Sequence, residues 1–317
     1  MKLGVTIPNI ELGTETGPVK ALAQAAEDLG FDYLMNYDHV LGADVSVRPE
    51  WRPFLGKPPI YTIDDGFREP LVMYGYLAAV TETIEFATGV IIVPQRQTAL
   101  LAKQAAEVDL LSGGRLRLGV GIGWNDLEYQ ALGMNFRDRG ARSAEQIEVL
   151  RKLWTEKSVN FTGKWHTLDG VGINPRPIQR PIPIWIGGEA DRVLRRVAQL
   201  GDGWYIPSYL NEEQIRERVE KLYAYARDLG RDPSTIGLEG IIRMWGREPE
   251  QCAESLAMWG RLGASHVTFT TESDSYKDRL PGAQMDTVAG RSDFDSMDDR
   301  IDALRRFKDA SAAYRES

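Results

Sequence analysis

Asp38 and His39 stand together at the end of a short strand-like run. A histidine placed there titrates near neutrality and can donate, accept or move a proton. The alternative for the same residue is a ring held by hydrogen bonds in a loop. Gly187-Gly188-Glu189-Ala190-Asp191-Arg192 joins another strand-like run to a helix-like one. Free N–H groups at a helix start attract anions, and glycines let a ligand approach closely, which is what a cofactor phosphate requires. A Gly-Gly turn also arises for purely geometric reasons. Gly119-Val120-Gly121-Ile122-Gly123 lacks the G-x-G-x-x-G spacing of a dinucleotide fingerprint, and its glycines lie within a strand that leads straight to Trp124. Such glycines mark close packing or a ligand lying against the backbone. Gly89 interrupts the apolar run Thr88-Gly89-Val90-Ile91 and suggests a bulge. Arg96 follows it, either as an anion binder or in an ion pair. His166, in an expected hairpin, and His266, at the entrance of a strand, read as structural.

The elements that must position these residues alternate along the chain. Strand-like runs fall at residues 2–8, 31–37, 84–93, 115–123, 183–186, 203–207, 236–244 and 266–270, and an apolar-striped helical run follows each. Eight such units predict a single (β/α)₈ TIM barrel over residues 1–317, with its chemistry on the loops at the C-terminal ends of the strands. Insertions are expected after strands two, four and eight. Residues 40–68 carry four prolines with Trp51, Phe54 and Tyr61, and are too long and too aromatic for a connector. They read as an excursion over the barrel mouth, whose aromatics either line a substrate pocket or anchor the loop. Residues 161–183 suggest a short hairpin, and the polar stretch 271–296 reads as a surface loop rather than a lid.

Composition narrows the function further. With 38 basic and 46 acidic residues the formal charge is −8, a poor basis for binding nucleic acid or anionic membrane, although a local pocket can still hold an anion. Cys252, the lone cysteine, lies in an apolar helical stripe and excludes an internal disulfide; with three histidines it leaves little for a zinc site, and no metal is expected. No apolar run approaches a membrane span, and the start MKLGVTIPNI reads as a first strand rather than a signal peptide, so a cytoplasmic protein is expected.

Four segments, AEDLGFDYLMNYDHV, the run from AAVTETIEF to GVGIGW, RGARSAEQIEVLRKLW, and INPRPIQRPIPIWIGG with the later LGDGW, resemble the luciferase-like monooxygenase superfamily of flavin- and F420-dependent barrel oxidoreductases. The resemblance implies FMN or the deazaflavin F420 across the C-terminal mouth. Asp38 and His39 match the family's pair near the cofactor, with His39 as the proton-handling group and Asp38 orienting it. Gly89-Val90 matches a bulge behind the ring, often a non-prolyl cis peptide, and Ile122, Gly123 and Trp124 would line the ring's edge. Gly187 and Gly188, with Glu189 and Arg192, match the phosphate turn. The LSGGRLRLGVGIGW style is most similar to F420-type members. Trp124 stands where F420-dependent glucose-6-phosphate dehydrogenases carry an acidic residue, which argues for an apolar or aromatic substrate met by Trp51, Phe54, Tyr61, Arg96 and Trp124. The leading expectation is hydride transfer with F420. The alternatives are a monooxygenase using reduced FMN from a partner reductase, and a barrel that binds flavin without turnover. The resemblance also implies a homodimer.

Overall fold

The computed structural model describes residues 1–54, 56–244, 246–272, 294 and 296–315. Strands β1 (Lys2–Thr6), β2 (Tyr33–Asn36), β3 (Glu85–Thr88), β4 (Ile91–Ile92), β5 (Leu116–Gly121), β8 (Ile184–Gly187), β9 (Gly203–Tyr205), β10 (Gly237–Arg243) and β11 (His266–Thr270) form a parallel sheet in which neighbours pair in that order, except that β3 and β4 each pair with β5 and not with each other, and β11 pairs back with β1. β3 and β4 are two halves of one barrel strand, since both lie beside β5. The closed barrel therefore has the eight strand positions that the alternation predicts. Strands buried on both faces read as continuous apolar runs, and β5 is buried at every residue.

Helices α1 (Gly17–Asp28), α2 (Pro70–Ala78), α3 (Thr98–Leu111), α5 (Arg139–Thr155), α6 (Asp191–Leu200), α7 (Glu212–Asp228), α8 (Pro249–Arg261) and α9 (Met297–Arg315) surround it. Each puts an apolar stripe inward; α6 buries Val193, Leu194, Val197 and Ala198. An Asn211–Gln214 capping box starts α7, satisfying its first free amides. Phe307 of α9 stacks on Phe269 of β11 at 4.0 Å between ring centres and closes the ring of helices.

The barrel is not hollow. Tyr33, Met35, Ala87, Trp185 and Tyr205 pack inside it. Among them lies an ion pair between Arg117 and Glu239, and Tyr33 Oη and Thr268 Oγ1 donate to Glu239 at 2.9 and 2.7 Å. The Arg117 guanidinium sits 4.4 Å from the Trp185 ring centre and 4.7 Å from that of Tyr33. A buried charge of this kind survives because it is paired and wrapped in aromatic faces.

Three features depart from the sequence expectation. The third strand, read over 84–93 with a bulge at Gly89, is split in two by a cis peptide at Gly89–Val90, the place and type of break that the family resemblance implies. A short helix, α4 (Asp126–Ala131), follows β5; Asn125 caps it by accepting from the amides of Leu127 and Glu128. The expected hairpin is present as β6 (Val159–Thr162) and β7 (Thr167–Val171), reaching two residues further back than 161–183. Of the insertion expected after strand eight over 271–296, residues 273–293 and 295 lie outside the described residues.

Candidate active site

His39 follows β2 at the C-terminal mouth, where three aromatic rings surround it. Tyr61 lies 4.1 Å away between ring centres, Phe67 5.0 Å and Trp124 5.7 Å. Tyr61 and Phe67 come from the long excursion after β2, which therefore does fold over the mouth. Phe54 and Trp51 of the same excursion pack on Trp124 at 5.4 and 6.4 Å. Polar ties fasten the loop to α4, among them Trp51 Nε1 donating to Asp126 at 3.0 Å and Asn125 Nδ2 donating to Tyr61 Oη at 2.8 Å. Tyr61 is fully buried, so within the loop it is an anchor, while Trp51, Phe54 and Trp124 keep partly exposed faces.

The structure corrects the expected partner of His39. Asp38 accepts from the Ile92 amide at 3.0 Å and from Arg96 Nη2 and Nε at 2.7 and 3.2 Å, so its carboxylate ties the end of β2 to β4 and does not turn toward the imidazole. Arg96, read from the sequence either as an anion binder at the substrate pocket or in an ion pair, is in the ion pair, held between Asp38 and Glu69, 2.9 Å from the latter. Beside His39 lies Glu128 of α4, with Oε1 3.5 Å from Nδ1 and its side chain fully buried. Glu128 also accepts from the amides of Val40 and Leu41 at 2.7 and 3.2 Å and from Gln95 Nε2 at 3.0 Å. Burial alone would push its carboxyl up; His39, Gln95 and the Leu41 amide outweigh burial and hold it below the ordinary carboxylate value. With Nδ1 buried against Glu128, Nε2 is the ring nitrogen left to meet a ligand.

A cavity of about 120 Å³ opens beside His39, lined by Tyr37, His39, Ile60, Tyr61, Phe67, Arg243 and Glu272. Arg243 ends β10 and Glu272 follows β11, and they pair at 3.0 Å. Burial pushes the Glu272 carboxyl up, against the pull of Arg243 and with the help of Glu11. Sequence reasoning did not single out Tyr37, Phe67, Glu128, Arg243 or Glu272.

The other half of the mouth is rich in glycine. A Cβ at Gly89 would strike Met35, one at Gly119 the Thr88 carbonyl and Tyr205, and one at Gly121 the Val90 side chain. A Cβ at Gly187 would press on Val90 at 3.2 Å, and Gly123 has a φ of +62°. Ile122 gives its carbonyl to Tyr129 Oη at 2.7 Å. Glycine at these positions thus makes room for neighbouring protein atoms, and Val90 packs onto Gly121 and Gly187 across barrel strands three to five.

Just after β8, Gly188 has a φ of +113°, a backbone state open to glycine, and α6 starts at Asp191. The helix cap, Ala190, makes no side-chain hydrogen bond to the first amides, and the Val193 amide donates to the Ala190 carbonyl at 2.6 Å. Arg192 stands exposed in the first turn, close enough to Arg139 and Arg196 to oppose their charges, although burial is the larger effect on both. Glu189 turns to Arg218 of α7 at 2.6 Å, so its charge is met by a protein cation rather than aimed at the turn. Arg139 and Arg196 are additions that the sequence did not reveal, because the first lies 53 positions from Arg192 in the chain.

Residues 1–307 match the description luciferase-like monooxygenase. An uncharacterized protein of Mycobacterium tuberculosis is 36% identical over 190 residues, which is 58% of this chain and 62% of that protein. An FMNH₂-dependent dimethylsulfone monooxygenase of Pseudomonas putida is 26% identical over 240 residues, 71% of this chain and 61% of that one. The matches thus span less than two thirds of either relative. Among solved structures, an F420-dependent secondary alcohol dehydrogenase bound to an F420–acetone adduct superposes with a TM-score of 0.65 over 90% of this chain and 99% of that one, at 18% identity, a likeness of fold. Among the described residues no helix is long and apolar enough to cross a membrane.

Proposed function

The chain belongs to the luciferase-like monooxygenase family, and on that premise we propose that it is an F420-dependent oxidoreductase that moves a hydride between the deazaflavin and a small organic substrate. The observation that carries this reading is a helix start without a side-chain cap, that of α6, beside three arginines. Gly89, Gly119, Gly121 and Gly187 let Met35, the Thr88 carbonyl, Tyr205 and Val90 pack closely at the strand ends that would lie behind the ring. An anionic tail needs free amides and cations, and the α6 start with Arg139, Arg192 and Arg196 supplies both. F420 carries a phosphodiester and carboxylates on its tail, which suits three guanidinium groups better than the single phosphate of FMN does.

The residues that fit this group have separate tasks. Gly187, Gly188 and the first turn of α6 would hold the tail, and Val90 would back the ring. The cofactor, when bound, supplies or accepts the hydride at its C5 position. Glu128 fixes the His39 ring through Nδ1, so that Nε2 gives or takes the proton that accompanies the hydride at the substrate oxygen. Asp38 and Arg96 act one step back, locking the chain that carries His39 to β4. Tyr61, Phe67 and Trp124 keep water from the imidazole.

A second reading, an FMN-dependent monooxygenase fed by a separate reductase, is favoured by the likeness to the dimethylsulfone enzyme. Parallel titration of the purified protein with F420 and FMN, read by fluorescence, separates the two. Micromolar F420 binding with weak FMN binding is the expected result. The reverse preference, joined by oxygen-dependent turnover with reduced FMN, would replace the F420 reading, and binding of neither would remove the cofactor role of Gly187-Gly188.

A further inference from the structure

A second hollow lies in the excursion after β2 and shares no lining residue with the cavity beside His39. It is a groove of about 380 Å³, within the roughly 300–1,000 Å³ of small-molecule sites. Val45, Pro49, Trp51, Pro58 and Pro59 give it apolar walls. Those walls are held in place before any guest arrives. Each proline fixes its own φ. Trp51 is pinned by the bond from Nε1 to Asp126 at 3.0 Å and by its packing on Trp124. Thr62, at the remaining edge, is held by Asp65, which accepts from its amide at 2.6 Å and from its hydroxyl at 3.2 Å.

Both charged residues of the lining, Arg48 and Arg52, are cations. Neither forms an ion pair among the described residues. Glu50, between them in the chain, is exposed and stands outside the lining. In a chain with a formal charge of −8, two arginines on one groove without an acid between them are a local reversal of sign. Arg52 is also positioned: Nη1 donates to the Pro49 and Trp51 carbonyls at 2.7 and 3.0 Å, and Nε and Nη2 have no partner among the described residues. A guanidinium meets a carboxylate through parallel hydrogen bonds, which gives direction as well as attraction. A neutral guest would leave this charge unmet, a cation would be repelled, and a bare inorganic ion would leave the apolar walls wet. A flat apolar body that carries one carboxylate satisfies walls and cations together.

We propose that this groove is a second ligand site, for an aromatic carboxylate whose ring lies against Trp51 and the prolines and whose charge is met by Arg48 and Arg52. The site does not depend on which cofactor the barrel takes. Trp51 joins it to the mouth, since the ring that walls the groove packs at 6.4 Å on Trp124, itself 5.7 Å from His39.

Calorimetric titration of the whole protein with 2-naphthoate and 2-naphthamide, one shape with and without the charge, tests this. The acid is expected to bind at least about tenfold more tightly than the amide, the scale of one charge-assisted contact. In the Arg48→Gln/Arg52→Gln variant that advantage should fall to within about threefold; both side chains are exposed, so the fold should survive the change. Salt raised to about 0.5 M should erode the same advantage in the parent, because charges on an open groove are screened. Phe67→Trp and Arg192→Ala alter the cavity beside His39 and the α6 start, and should leave naphthoate affinity within about threefold. Equal binding of acid and amide, or an advantage that survives the double variant or the salt, would overturn the proposal. So would a loss of naphthoate binding in Phe67→Trp or Arg192→Ala, which would put the guest elsewhere.

Discussion

Around the barrel mouth, strands three to five present Gly89, Gly119, Gly121, Gly123 and Gly187, while strands two, seven and eight present Tyr37, Asp38, His39, Arg243 and Glu272. In the first half the glycines let Met35, Tyr205 and Val90 pack closely; the second holds nearly every titratable group of the site. A close-packed apolar region has a fixed shape but no group to move a proton. A region rich in such groups can move protons and discriminate substrates, but only if buried partners fix their geometry. Ile92 and Arg96 do this for Asp38, while Glu128 lies 3.5 Å from His39 Nδ1. The division of labour is therefore between shape on one side and chemistry on the other.

Four measurements would break or sharpen that division. The largest effect is expected for His39→Ala, which should lower turnover by about 10²- to 10⁴-fold, the range of a general acid or base, and change cofactor affinity by less than about threefold. Steady-state kinetics beside a fluorescence titration reads both, and unchanged turnover would take His39 out of the chemistry. Arg192→Ala should do the opposite. Loss of one charge-assisted contact, about 1.5–3 kcal/mol, weakens cofactor binding by about tenfold or more and leaves turnover at saturation near the parent's. Equal losses in turnover would blur the two halves. Glu128→Gln keeps the shape and removes the charge, so about a tenfold fall in turnover with intact cofactor binding is expected. The imidazole ¹⁵N signals of the three histidines offer a readout that a merely structural role would not move: the His39 tautomer should shift, and those of His166 and His266 should not.

The smallest effect concerns pH, and lies below both halves. His266 packs on Trp185 and Tyr33, and burial first, then the charge of Arg117, pushes its pKa down to about 2. The folded chain keeps it neutral while the unfolded chain takes up a proton below about pH 6.5, so stability falls as pH drops below that value. One proton corresponds to at most about 1.4 kcal/mol per pH unit. His266→Gln should flatten the decline of urea midpoints between pH 7 and 5, and parallel declines in parent and variant would assign the acid sensitivity elsewhere.

Much of this molecule was legible in its residues. The strand positions followed from apolar runs bounded by glycine and proline, and strand eight starts and ends where the pattern puts it, at His266 and Thr270. The glycines of strands three to five and the Gly187-Gly188 turn carried their own signal, because only a close approach or an unusual φ explains so many of them in strands. What stayed hidden depended on contacts between distant parts of the chain. Glu128 meets His39 across 89 positions from a helix of six residues, too short for periodicity to reveal. Arg96 is drawn to Asp38 and Glu69 by charges that no local pattern links. Arg243 and Glu272 could have been found, for they are polar residues at the C-terminal ends of barrel strands, where chemistry gathers.

The packed interior has one more consequence. Because Tyr33, Arg117, Trp185, Tyr205 and Glu239 fill the barrel beneath the mouth, no path runs up the barrel axis to His39 among the described residues, and side chains that touch no reactant decide from which end of the barrel a ligand can come.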